Sequence, residues 1–185
     1  MKLYTGIDLH SNNCFISVID ETGKIVRKKR VANDLDLILK IIKFETDNIE
    51  GVVVESTFNW YWLVDGLIEN GYSVHLANTT AIQQYDGIKY TDDDTDATWL
   101  AEMLRLNLLP EGYIYPKEDR GIRDLLRKRA QLVRIRTTNI LSLKTIISRE
   151  TGHQIKRDDV NKLNSEQLLK ILNNNQDVYL AANAN

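Results

Sequence analysis

The order of short apolar runs constrains the fold of this 185-residue sequence more than any other feature. Three runs, at residues 3–7, 14–19 and 25–31, are separated by polar and turn-forming residues, which is typical of an antiparallel meander. Amphipathic helical patterns then alternate with two more runs, the β-branched triplet Val52–Val54 and residues 72–76. This order predicts an α/β fold with a mixed five-stranded sheet, in which crossover helices make the later strands parallel.

Four acidic residues fall where these predicted elements end or begin. Asp8 ends the first run and Glu55 ends the valine triplet, so both carboxylates are expected at the edge of the sheet where sites of open α/β sheets lie. Asp93 and Asp96 open a stretch of helical periodicity, and residues three apart share a helix face. Crowded carboxylates favour a hard cation such as Mg²⁺, and two such ions assist phosphodiester chemistry. The pattern therefore predicts a divalent-metal site.

Each of these residues also has a simpler explanation. Asp92 or Asp93 would serve as the cap of a helix, and Asp8 and Glu55 would be solvated loop residues. His10, two residues after Asp8, is the histidine expected nearest the site, although a place in a turn is the simpler interpretation. The metal site is favoured because all four carboxylates would otherwise have to be incidental.

Composition excludes several classes of protein. No apolar stretch approaches the roughly 18 residues of a membrane span, and the N-terminus lacks the layout of a signal peptide, so we expect a cytoplasmic protein with no membrane partner. Cys14 is the only cysteine, which excludes an intrachain disulfide and a thiolate zinc cluster. The three histidines form no motif with ligand spacing.

Charge divides the chain into an acidic part and a basic part. Residues 1–116 carry 10 Lys and Arg against 18 Asp and Glu, whereas residues 117–149 carry 10 basic and 3 acidic residues. A segment bracketed by two prolines lies between them and is expected to break helical structure. We therefore predict a globular domain at 1–112 and a helical region at 113–185.

The basic part has the pattern of one long helix. Leu126, Val133, Ile140 and Ile147 recur every seven residues, which predicts an amphipathic helix with coiled-coil character. Its charge is single-signed; a solvated helix face would explain this, but the absence of alternating charges favours binding to a phosphate backbone. The predicted nucleic-acid contacts are Arg120, Arg123, Arg127, Lys128, Arg129, Arg134 and Arg136.

Several sequence segments, taken in their order along the chain, resemble the motifs of a known family. They are Gly6–His10, Val53–Thr57 with Asn59–Asp65, Lys89 with Asp93–Ala97, and Leu108–Pro116. Together they resemble the DEDD transposases, a family of bacterial insertion sequences that includes the Piv-type DNA invertases. The resemblance implies an RNase H-like (RuvC-like) domain whose catalytic carboxylates Asp8, Glu55, Asp93 and Asp96 bind Mg²⁺, with Mn²⁺ as a substitute, followed by a helical linker and dimerisation element.

The resemblance also implies DNA strand cleavage and transfer by a homo-oligomer, a dimer or tetramer, directed by a structured noncoding RNA. Members of the family carry a second catalytic domain with a nucleophilic serine. Ser142, Ser148 and Ser165 match no serine motif of the family. We therefore expect an N-terminal portion of a transposase that binds metal and nucleic acid without completing recombination.

Two other functions stay open from the sequence. An actin-like or sugar-kinase ATPase shares the pattern Gly6–Leu9 followed by a strand, Asp20 and Gly23, but residues 10–13 are larger than a phosphate-binding turn requires. A nucleic-acid-binding or dimerising module with inert carboxylates is the third candidate. That module predicts nucleic-acid binding that is indifferent to Asp8→Asn.

Overall fold

The structure is a computed structural model that describes residues 1–43, 49–82 and 93–184, without the side chains of residues 93 and 94. The chain forms two compact units, Met1–Ile114 and Tyr115–Asn185. No helix in the described part of the chain is both long and apolar enough to cross a bilayer.

The first unit contains a five-stranded sheet with the order β3-β2-β1-β4-β5. Strands β1, β2 and β3 are antiparallel neighbours, and β4 and β5 run parallel to β1. The strands are β1 (Leu3–Leu9), β2 (Asn13–Asp20), β3 (Ile25–Ala32), β4 (Ile49–Glu55) and β5 (Val74–Ala77). The predicted meander and crossovers are thereby confirmed, and the arrangement is that of an RNase H-like fold.

Asp20 closes the turn between β2 and β3. Its Oδ1 accepts hydrogen bonds from the backbone nitrogens of Thr22 at 2.8 Å and Lys24 at 3.0 Å. Gly23 has a φ of 87°, a conformation that glycine adopts without steric cost. The Asp20–Gly23 signal in the sequence therefore marks a hairpin turn.

Helices cover both faces of the sheet. Helices α1 (Leu35–Lys43) and α2 (Tyr61–Glu69) pack on one face, and α3 (Asp93–Arg105) lies on the other. Asp34 caps α1, since its Oδ1 accepts a hydrogen bond from Leu37 N at 3.0 Å, as its residue type favours.

The valine triplet of β4 connects the two layers. Val52 and Val54 belong to the cluster that packs against α1 and α2, whereas Val53 packs with Ala77 and Leu100 on the side of α3. All three valines are fully buried. A strand covered on both faces is what a continuous β-branched run predicts, and Glu55 follows at its end.

The second unit consists of helices. Helix α4 (Lys117–Thr151) is 35 residues long, about 50 Å at the usual rise, and Gly152 ends it with a φ of 72°. Three shorter helices follow: α5 (Arg157–Val160), α6 (Ser165–Ile171) and α7 (Gln176–Asn183). The long helix therefore begins and ends close to the residues that the sequence predicted.

A small apolar core holds α6 and α7 against the end of α4. Ile147 packs with Leu168, Leu172 and Ala182, all of them buried. The asparagine run 173–175 precedes α7, and Asn175 caps the first turn of this helix through a hydrogen bond from Val178 N at 3.2 Å.

Candidate active site

Asp8 and Glu55 are neighbours on adjacent parallel strands. The register pairs Ile7 with Val54, so the next residue on each strand lies opposite the other with its side chain on the same face of the sheet. Asp8 is only 3% exposed, and Glu55 is half-buried. The two carboxyl groups are joined by a hydrogen bond. Two residues from separate parts of the sequence thus form one hydrogen-bonded pair, in which Asp8 is buried and Glu55 half-buried.

Helix α3 brings a third carboxylate to the same face. Gly6 faces this helix: a Cβ there would overlap the Ala97 carbonyl oxygen and lie 2.8 Å from the Ala101 nitrogen. The missing side chain therefore lets α3 lie directly against β1. Asp96, in the first turn of α3, is exposed, and its charge acts on Glu55.

The environment of Glu55 raises the pKa of its carboxyl from the usual 4.5 to about 8. Burial is the largest cause, followed by the hydrogen bond with Asp8 and then by the negative charges of Asp8 and Asp96. Each of these effects disfavours the carboxylate relative to the acid. At neutral pH Glu55 therefore retains its proton in the absence of a cation.

His10 contacts the buried carboxylate of the pair. It lies in the turn after β1, as expected, but its Nε2 is also 3.0 Å from Oδ2 of Asp8. The carbonyl oxygen of His10 accepts hydrogen bonds from the side-chain amides of Asn33 at 2.9 Å and Asn59 at 3.1 Å. The edge of its ring meets Phe15, with 5.8 Å between ring centroids. These contacts fix His10 beside Asp8, which the sequence alone did not establish.

Cys14 lies on β2 beside the same strand and is fully buried. Burial, and secondarily the negative charge of Asp8, raises the pKa of its thiol from 9.0 to about 12. The thiol is therefore neutral at physiological pH. Its role is to fill the core, since a thiol that stays protonated is neither a nucleophile nor a metal ligand.

The fourth predicted carboxylate, Asp93, begins α3, but its side chain and all of Asp92 lie outside the described residues. Among the side chains that the structure describes, no group of three or more His, Cys, Asp and Glu is arranged to hold a metal ion. The chemistry of the donors still fits a hard cation, because carboxylate oxygens are its preferred ligands. A cation would also offset the negative charges of Asp8 and Asp96, which contribute to the raised pKa of Glu55 after its burial and its hydrogen bond with Asp8.

Two of the predicted nucleic-acid contacts are engaged near the start of α4. Arg120 is 8% exposed, and its Nε donates a hydrogen bond to the carbonyl oxygen of Tyr115 at 2.9 Å. The guanidinium of Arg123 lies 4.7 Å from the centre of the Tyr115 ring, a cation–π distance. Both side chains therefore contact Tyr115 and stabilise the segment that leads into α4.

The other basic residues of the predicted interface are exposed on α4. Helical periodicity places four of them on two faces. Arg127 and Arg134 share one face, whereas Arg129 and Arg136 share a face with the exposed apolar residues Leu126 and Val133. The exposed basic residues are Arg127, Lys128, Arg129, Arg134 and Arg136.

Comparison with known proteins gives one family. Residues 5–150 match the DEDD_Tnp_IS110 family, whose description is transposase. The match covers most of the chain, including Asp8, Glu55, Asp96 and nearly all of α4. No curated protein matches the chain. The chain belongs to the DEDD_Tnp_IS110 family of transposases.

Proposed function

We propose that this member of a DNA transposase family uses Asp8, Glu55, Asp93 and Asp96 as the catalytic, Mg²⁺-binding carboxylates of DNA strand cleavage and transfer. The observation that supports this most is the meeting of Asp8, Glu55 and Asp96 at one edge of the sheet. Burial, the hydrogen bond with Asp8 and then the charges of Asp8 and Asp96 together raise the pKa of Glu55 to about 8, and crowded, partly buried carboxyl groups of this kind are expected of cation ligands in the absence of the cation.

Each carboxylate has a role in this proposal. Asp8 would be the ligand that the ions share, Glu55 and Asp96 would each contribute to one or the other, and Asp93 would complete the set. Mg²⁺, or Mn²⁺ as a substitute, would activate the attacking oxygen and stabilise the leaving oxygen of the phosphodiester. The chain itself supplies the fixed position of Asp8, since that carboxylate is buried and contacts His10.

The partners of the chain are proposed to be nucleic acids and further copies of the chain. Helix α4 would bind the DNA backbone and a structured noncoding guide RNA through its exposed basic residues. Its apolar face would join copies into a dimer or tetramer. We infer a bacterial cytoplasmic location, with association with the nucleoid when DNA is bound.

Titration calorimetry with Mn²⁺ tests the metal site directly. The intact chain should bind Mn²⁺ and release close to one proton at pH 7, because Glu55 must ionise to become a ligand. Asp8→Asn should abolish both the heat of binding and the proton release. Asp36→Asn, the same change at an exposed residue of α1, should alter neither.

An inert nucleic-acid-binding module is the second candidate, favoured by the absence of a ready-made metal cluster among the described side chains. It predicts no Mn²⁺ binding at Asp8, and DNA affinity that is the same for the intact chain and Asp8→Asn with or without Mn²⁺. Binding of Mn²⁺ that survives Asp8→Asn would contradict the proposed carboxylate site. Membership in the transposase family favours either candidate over the ATPase.

A further inference from the structure

A cleft of about 380 Å³ opens beside the carboxylates in the first unit. Its polar lining comes from Glu55, Asp96 and Thr79, and its apolar lining from Ile82, Trp99 and Leu100. This volume is that of roughly a dozen water molecules, since one water molecule occupies about 30 Å³ in the liquid. The cleft is therefore large enough for part of a polynucleotide strand.

The cleft combines two chemical environments. Its described lining contains two carboxyl groups and no basic side chain, so it offers nothing that would attract a phosphate to its apolar part. Leu100 is 4% exposed and packs with Val53 and Ala77, which makes the apolar part firmly anchored. A flat, uncharged group suits this part of the cleft.

Trp99 is a large aromatic side chain that is exposed inside the cleft. It lies three residues after Asp96 on α3, so both side chains are on one face of the helix, and both line the cleft. Half of its surface, 49%, is exposed, whereas Trp60 is 4% exposed. An exposed tryptophan in a cleft is a common anchor for a ligand with a flat face.

We propose that Trp99 stacks on an unpaired nucleobase of a DNA strand that enters the cleft beside Asp8, Glu55 and Asp96. The proposal rests on the proposed function and adds the part of the substrate that enters the cleft. A base within a duplex has both faces covered by its neighbours, so only an unpaired base presents a face to an indole. The site therefore selects a strand that is locally open next to the reacting phosphate.

The test compares two ligands that carry the same number of phosphates. One is a short oligothymidylate, and the other is an abasic phosphodiester oligomer of equal length. Affinities for the full chain are measured in EDTA by fluorescence anisotropy of a dye on the oligomer. The intact chain should prefer the oligothymidylate by about 5- to 100-fold, the range measured for single stacked bases.

Three variants test whether Trp99 causes the preference for the oligothymidylate. Trp99→Leu keeps an apolar side chain but no aromatic face and should remove most of the preference, while Trp99→Phe should retain part of it. Phe58→Leu, a matched change at an aromatic residue that is 84% exposed and does not line the cleft, should leave it intact. An equal preference in the intact chain and Trp99→Leu would overturn the inference, as would no preference at all.

The measurement separates this inference from the proposed metal site. Mn²⁺ titration of Trp99→Leu should match that of the intact chain, because Trp99 is not a ligand. Mn²⁺ binding together with a base preference that is unchanged in Trp99→Leu refutes stacking and leaves the metal site standing. A Trp99-dependent base preference in a chain that binds no Mn²⁺ supports stacking and refutes the metal site.

Discussion

The carbonyl oxygen of Ala97 occupies the space in which a Cβ on Gly6 would lie, so α3 crosses β1 at a position that only glycine permits. The approach is backbone to backbone and does not involve the flexible end of a side chain. It sets the first turn of α3, with Asp96, over the strand that carries Asp8. The geometry of the candidate site therefore depends on a residue with no side chain.

Gly6→Ala should destabilise the first unit and separate the carboxylates. The added methyl group meets backbone atoms, so α3 must move, at a cost of about 1–3 kcal/mol. Denaturant unfolding followed by tryptophan fluorescence measures this, since all three tryptophans lie in the first unit. Gly112→Ala is the matched control, because its Cβ would meet Leu76 at an ordinary 3.5 Å. Equal stability of the two variants would contradict the role of Gly6.

The stability of the metal-free chain should fall as the pH rises toward 8. The pKa of Glu55 is about 8 in the folded state against 4.5 ordinarily, so the folded state binds more protons between these values. The resulting stabilisation is complete below about pH 4.5 and is lost as pH rises through 8. Because Glu55 is only half-buried, solvent reduces the total to roughly 1–3 kcal/mol.

Glu55→Gln isolates that effect. Glutamine stays neutral at every pH, so this variant should lack the loss of stability between pH 5 and 8 and should exceed the intact chain at pH 8. Urea unfolding in EDTA at several pH values measures both proteins, with Glu118→Gln, an exposed site on α4, as the control. A parallel decline in the intact chain and Glu55→Gln would show that another group causes it.

Local sequence patterns predict some features of the fold and of the candidate site, and not others. The valine triplet predicts a buried strand, and a parallel crossover is enough to expect Asp8 and Glu55 at one edge of the sheet. The approach of Ala97 to Gly6 joins residues more than ninety positions apart and leaves no periodic signal. The pKa of Glu55 likewise depends on burial and on charges from two other elements.

His10→Ala should weaken Mn²⁺ binding about 10-fold. The imidazole Nε2 lies 3.0 Å from Oδ2 of Asp8, and groups that orient a ligand in this way commonly contribute that much to metal affinity. His10→Gln keeps a side-chain donor and should recover part of the loss, while His153→Ala, at an exposed residue of the second unit, should have no effect. Tighter binding by His10→Ala would mean instead that His10 competes with the cation for Asp8.

Reversing three charges on α4 should abolish salt-sensitive DNA binding. Replacement of Arg127, Lys128 and Arg129 by Glu removes three exposed cations from the predicted interface, and each lost phosphate contact should reduce the salt slope by about 1. Replacement of Lys156, Arg157 and Lys162 by Glu changes the net charge equally at exposed sites outside α4. Filter binding across a salt series compares the two proteins, and equal affinities would remove α4 from the interface.

Self-association should respond in opposite directions to two kinds of change on the apolar face of α4. Leu126 is 61% exposed and Leu132 is 54% exposed, so Lys at either position should cost the monomer little but should weaken a helix–helix contact. Arg129 lies between them at helical spacing, and a charge in such a seam lowers its stability. Arg129→Leu should therefore strengthen association. Sedimentation equilibrium measures both changes. Leu108→Lys is the control, because Leu108 is 65% exposed and lies in the first unit. If the intact chain and every variant are monomeric, this face does not join copies.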